Sequence, residues 1–97
     1  MNDHQLTSEL LLETAQISWR ELQRFFASGH AIAVDNSLDL IYVATQITAD
    51  NADQIKVWMD AGLVDAVKDS QAQIWYEQDK LVWALVIKPW VLVQQRD

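Results

Sequence analysis

The chain has no cysteine, one proline and two glycines in 97 residues. Without thiols there is no disulfide, no thiolate zinc site and no Cys nucleophile, and the absence suits a reducing compartment. Two isolated glycines, Gly29 and Gly62, cannot build a Gly-rich phosphate loop. Bases are scarce as well: 7 Lys and Arg against 14 Asp and Glu give a formal net charge of -7. A surface of that sign repels phosphate backbones and anionic lipid, which argues against nucleic-acid and membrane partners. The longest apolar run is seven residues, Leu81–Ile87, far short of the roughly 20 that a membrane-spanning helix needs. The start, Met1-Asn2-Asp3-His4-Gln5, lacks the basic and apolar regions of a signal peptide. The expected location is the cytoplasm.

What is present reads as folded material. Half the residues are apolar, 51%, and a chain of this length buries roughly two thirds of its unfolded surface around one core. The expectation is one α+β domain over residues 1–97, with residues 1–5 a frayed start. The stretch that the rest must cover is the C-terminal one. Leu81–Ile87 is an unbroken apolar run, and Trp90–Val93 adds four more apolar residues beyond Lys88-Pro89. A run of this kind reads as a strand buried on both faces.

Taken in order, residues 6–16 have helical spacing at Leu6, Leu10, Thr14 and Ile17, with Thr7 or Ser8 as cap. Residues 18–28 form a second helix: Ser18 and Glu21 make a capping box, Ile17 and Leu22 a hydrophobic staple, and Gly29 the stop. Ala31–Val34 is a short buried strand before the turn cluster Asp35-Asn36-Ser37. A helix from about Leu38 to Ala49 follows, capped by Asp35 or Ser37 and apolar nearly all round, which means burial or an interface. Asp50–Gln54 breaks it and caps a helix carrying Ile55, Trp58 and Met59, with Gly62 as its stop. Leu63–Val67 is a short strand, and Asp69 or Ser70 caps a last helix with Ala72, Trp75 and Tyr76 inward. Pro89 cannot donate to a sheet ladder, and Lys88-Pro89 lacks the easy positive φ of common hairpin turns. The final strand is therefore expected to bend or bulge at Pro89, with its second half at a sheet edge. The fold class is α+β: a small three- or four-stranded sheet with about five helices packed on it, and the long bent C-terminal strand central.

Few residues suggest chemistry. His4 lies in the terminal segment, and His30 sits where a helix C-terminus favours a cation. Asp35 with Asp39, and Asp50 with Asp53, could offer oxygens to a metal, but both pairs stand where helix caps belong and neither matches a calcium loop. No nucleophile motif is present, so no catalytic, cofactor or metal residue is assigned. Arg20 and Arg24 are like charges one turn apart and form either a solvated face or an acid-facing site. The five tryptophans, Trp19, Trp58, Trp75, Trp83 and Trp90, read mainly as core. By that reading, deleting Trp83 costs about 3–5 kcal/mol.

Several strings resemble a family of small bacterial proteins known only as a domain of unknown function: Ser18-Trp19 with Glu21-Leu22 and Phe26, Val34-Asp35 with Leu38-Asp39, Trp58-Met59 with Gly62, and Trp83-Ala84 with Val86. The most specific is Pro89-Trp90-Val91-Leu92-Val93-Gln94. The resemblance spans about Leu12 to Gln94. It implies a bacterial, cytoplasmic, stand-alone domain and carries over no activity, ligand or catalytic residue.

Two functional readings follow. The first is a non-enzymatic protein-interaction module, with a protein partner or a second copy held through the region of Trp90, Lys88 and Pro89 and the acidic middle, where six aspartates from Asp35 to Asp65 stand against Lys56, or through Arg20 and Arg24. Trp is enriched at interface hot spots, and Trp90 follows the proline that interrupts the strand. The alternative is a small-molecule-binding or catalytic domain, with a pocket lined by Trp83, Trp58 and Tyr42 and a polar group such as Asp35 or His30.

Overall fold

The computed structural model describes residues 15–95. Strand β1, Ala15–Ser18, runs into a 3-10 turn at Trp19–Leu22 and helix α1 at Gln23–Ala27. Then come β2 (Ala31–Val34), α2 (Leu40–Thr48), α3 (Ala52–Asp60), β3 (Val64–Ala66), α4 (Asp69–Glu77), β4 (Leu81–Ile87) and β5 (Trp90–Gln94). The five strands form one mixed sheet in the order β1-β4-β5-β2-β3. All neighbours are antiparallel except β5 and β2, which are parallel.

Successive side chains of a strand point to opposite faces, and here both faces are covered. On the first face, Val82, Ala84, Val91, Val93 and Ala31 meet Trp19 and Leu22 of the 3-10 turn, Val67, and Ala72 and Trp75 of α4. Phe25 and Phe26 of α1 close over that cluster. On the second face, Leu85 and Leu92 meet Leu40, Val43 and Ala44 of α2 and Trp58 of α3. Strand β4 is therefore buried on both sides at Ala84 and Leu85 but exposed at Leu81 and Val86.

The helices end alike. Each is followed by a residue at positive φ: Gly29 (80°), Asp50 (56°), Gly62 (74°) and Asp79 (48°). The paired bonds Gly29 N–H to Phe26 O and His30 N–H to Phe25 O are those of a Schellman motif, and the same pattern recurs at Asp50, Gly62 and Asp79. Starts are more varied. Asp39, not Asp35 or Ser37, caps α2 by accepting from the N–H groups of Ile41 and Tyr42. Asn51 caps α3 through Gln54 N–H. Helix α4 starts at Asp69 after Lys68 with no side-chain cap, and Tyr76 points outward instead of inward.

Three larger expectations are corrected. First, Ala15 and Gln16 belong to a strand, not to the end of a helix; the remainder of that proposed helix, and the proposed frayed start, lie outside the described residues. Alone, Ala15–Ser18 carries little strand preference, and pairing with Leu81–Ala84 imposes the conformation. Second, Ser18 accepts from Arg20 N–H, so the turn closes as a 3-10 segment before α1 and no single helix spans 18–28. Third, Ile87 and Trp90 are ladder partners, so Lys88-Pro89 is a two-residue hairpin turn, and its peptide bond is cis. A cis proline at the third position gives a type VI turn, a hairpin turn other than the positive-φ types on which the expectation of a bend or bulge rested. Strand β5 then lies at the centre of the sheet, not its edge. Together these changes give five strands and four helices among the described residues, where three or four strands and about five helices were expected.

Candidate functional site

The alternation of β5 decides what its residues do. Val91 and Val93 face the first cluster, while Trp90, Leu92 and Gln94 face the second. Leu92 and Gln94 are covered by the helix layer. The Gln94 side-chain amide donates to the carbonyls of Asp35 (2.9 Å) and Leu38 (2.8 Å), which holds the loop that leads into α2. Trp90, at the start of the strand, is 37% exposed.

Around Trp90 lies an apolar groove of 230 Å³. Ile32 and Val64 form its floor, Ile47 comes from the end of α2, Ile55 and Met59 come from α3, and Ala66 and Asp65 close it along β3. Ile55 and Met59 stand one turn apart and therefore on one side of α3. Met59 is 52% exposed at the rim. His30 packs edge-on against Trp90, with ring centres 5.5 Å apart at 87°, and its Nδ1 is 3.1 Å from Ser28 Oγ. Small-molecule pockets usually enclose roughly 300–1,000 Å³. This groove is smaller and suits one or two large side chains.

A second concavity, 450 Å³, lies beside the carboxyl ends of the parallel pair β2 and β5. Asp35, Lys68, Gln71, Trp75 and Gln95 are among its lining residues. Trp75 Nε1 donates to Gln95 Oε1 at 2.7 Å. The Asp35 carboxyl is held below its ordinary pKa by the side-chain and backbone hydrogen bonds from Ser37, the latter 2.9 Å at Oδ2.

The structure separates the residues singled out in the sequence. Trp90, Lys88 and Pro89 stay together at the exposed hairpin. Arg20 and Arg24 lie on the layer covering the opposite face of the sheet. Arg20 Nε donates to the Tyr76 carbonyl at 2.9 Å, lies 3.7 Å from Asp79 Oδ1, and its guanidinium stacks 4.9 Å from the Tyr76 ring centre. It thus closes the C-terminus of α4, a structural role. Arg24 lies over the Phe25 ring at 4.8 Å.

The pocket group is not gathered in one cavity. Trp58 is buried in the second cluster with Tyr42 edge-on at 5.9 Å, Trp83 packs half-buried against the same cluster, and none of the three lines either concavity. Asp35 and His30 flank opposite ends of β2. Asp35 and Asp39 accept hydrogen bonds at a turn and at the start of α2, Asp50 ends α2 at positive φ, and Asp53 lies in the first turn of α3; among the described residues no three His, Asp or Glu side chains converge as metal ligands. Sequence reading missed Ile47, Ile55 and Met59 as groove residues. The signal was present: Ile55 and Met59 at i and i+4, with Met59 beside the acidic, solvent-facing Asp60.

Residues 5–95 match the family model described as "Protein of unknown function (DUF2288)". The chain belongs to this family. Its fold is also similar to the NMR solution structure of PA1075 from Pseudomonas aeruginosa, with 41% sequence identity and a TM-score of 0.84 over 96% of this chain and 86% of that one. No match was found among curated proteins. Among the described residues of this family member, no helix is long and apolar enough to cross a membrane.

Proposed function

We propose that the protein is a non-enzymatic, cytoplasmic protein-interaction module that binds through the groove headed by Trp90. One observation carries this reading: a partly exposed Trp and an exposed Met flank an apolar groove of side-chain size at one end of the sheet. Trp anchors recur at interface hot spots, and Met adapts its shape to a partner. The test is affinity capture with light crosslinking in the native cell, wild type beside Trp90→Ala, followed by binding of the purified pair. A partner lost from a folded Trp90→Ala variant supports the module. A partner retained equally by both, or none at all, counts against it.

A different observation favours a second reading. The 450 Å³ crevice is large enough for a small molecule and lies at the carboxyl ends of parallel strands, where open α/β sheets bind ligands. In this reading Asp35, Lys68 and Gln71 recognise a polar compound. A fragment titration followed by NMR, with Lys68→Ala as control, tests it.

A further inference from the structure

We infer that the 450 Å³ crevice takes a small zwitterion, a short chain with an amine at one end and a carboxylate at the other, the amine against Asp35 and Asp65 and the carboxylate against Lys68. The inference rests on the small-molecule reading of this crevice and names the class of compound. The crevice opens on the first face of the sheet, with Ala33 and Val93 as its floor. Asp65 is the ladder partner of Ala33 and so shares its face. Asp35 stands two residues beyond Ala33, and its N–H bonds to Leu63 O, which carries the pairing of β2 with β3 one step further. Its side chain therefore rises on the same face. The two carboxyls are diagonal neighbours on adjacent strands. Ser37 N–H holds an oxygen of Asp35 and Ala66 N–H an oxygen of Asp65, which fixes both groups in place.

The opposite wall is α4. Lys68 immediately precedes the helix, and Lys68, Gln71 and Trp75 recur at helical spacing on the side that lines the crevice. The Trp75 indole N–H is already held by Gln95 Oε1, so Lys68 and Gln71 supply the donors of that wall. Asp35, Asp65 and Lys68 are the charged residues of the lining, and among the described residues none of them is in an ion pair. Two acids and one base thus share a crevice without neutralising one another. An anion alone would meet both carboxylates, and a cation alone would meet Lys68; like charges oppose docking. A metal ion finds too few ligands, since no three His, Asp or Glu side chains converge among the described residues. A compound carrying both charges answers both walls, and the volume lies in the range of small-molecule sites, roughly 300–1,000 Å³.

The test titrates four compounds of one chain length, γ-aminobutyrate, butylamine, butyrate and butyramide, into the full ¹⁵N-labelled chain. γ-Aminobutyrate should shift the amides of Ala33, Asp65 and Gln71 and the Trp75 indole N–H. It should bind about threefold to fivefold tighter than butylamine or butyrate, the effect of one exposed ion pair. Lys68→Ala should erase its advantage over butylamine. Asp65→Asn, which keeps an acceptor for Ala66 N–H, should shrink its advantage over butyrate. Both side chains are exposed, so neither variant puts the fold at risk. Ala33→Leu, which fills the floor, should block all binding at these amides. Equal binding of butylamine or butyrate at the same amides overturns the zwitterion and leaves the small-molecule reading standing. An advantage over butylamine that survives Lys68→Ala overturns it as well. No binding by any of the four also overturns it, while the fragment titration judges the crevice separately.

Discussion

The two faces of the sheet are built from the same strands and end differently. The first is packed by aromatics in its middle, where Trp19 meets Phe26 and Trp75 edge-on at 5.7 and 5.1 Å and Arg20 ties the turn to the end of α4, and it opens at the other end of the strands, where Ala33, Val93 and Trp75 border the 450 Å³ crevice. The second is closed by aliphatic side chains in its middle and left open at Trp90. Strand β5 supplies both, with Val91 and Val93 on one side and Trp90, Leu92 and Gln94 on the other. The contrast shows that tryptophan content alone does not mark a core. Trp19, Trp58 and Trp75 are buried, Trp83 is half-buried and Trp90 is at the surface.

That contrast can be broken by substitution. Trp19→Ala removes a fully buried side chain at the centre of the first face. It should cost about 3–5 kcal/mol in urea unfolding, a large part of the total stability of a small domain. Trp83, half-buried, should cost clearly less, contrary to the expectation from sequence; equal losses would remove the distinction. Gln94→Ala leaves the carbonyls of Asp35 and Leu38 without its two bonds and opens a space on the second face. A loss of about 2–4 kcal/mol is expected, with NMR shifts concentrated in the loop into α2.

Smaller effects sharpen the same picture at its borders. Asp50 holds a left-handed conformation at the end of α2. Asp50→Gly should raise stability by about 0.5–1 kcal/mol, because glycine adopts that region without a Cβ clash. A loss of stability in thermal unfolding would show that the Asp50 side chain does more than cap. The smallest effect concerns Asp35, whose folded pKa is lowered by Ser37. A lowered pKa stabilises the fold above the ordinary carboxylate value, and the contribution is lost as pH falls through the folded one. Ser37→Ala should raise the Asp35 pKa in a ¹³C carboxyl titration and flatten the acid limb of stability. An unchanged titration would contradict the assignment.

Much of the fold is legible in the sequence where local signals decide it. The strand Ala31–Val34 follows from its apolar run and the turn cluster after it, and the stops at Gly29 and Gly62 follow from their φ of 80° and 74°. What is not legible depends on distant partners. Ala15–Ser18 is a strand because Leu81–Ala84 lies beside it. Asp50 and Asp79 act as left-handed caps, a role that sequence assigns first to glycine. Lys88-Pro89 turns a single bent strand into a hairpin and moves its second half to the middle of the sheet. The candidate site was half visible. Trp90 stands out because of its neighbour Pro89, but its companions Ile47, Ile55 and Met59 come together only once α2 and α3 are laid over the sheet.

The central claim is that Trp90 is a contact residue on a fold held elsewhere. The most direct measurement is urea unfolding of Trp90→Ala, with its ¹H–¹⁵N spectrum recorded beside wild type. The account predicts a loss below about 1.5 kcal/mol, since the side chain is only partly buried, with changes confined to the groove. A loss of about 3–5 kcal/mol, with shifts reaching Leu85 and Leu92, would make Trp90 part of the core and contradict the account.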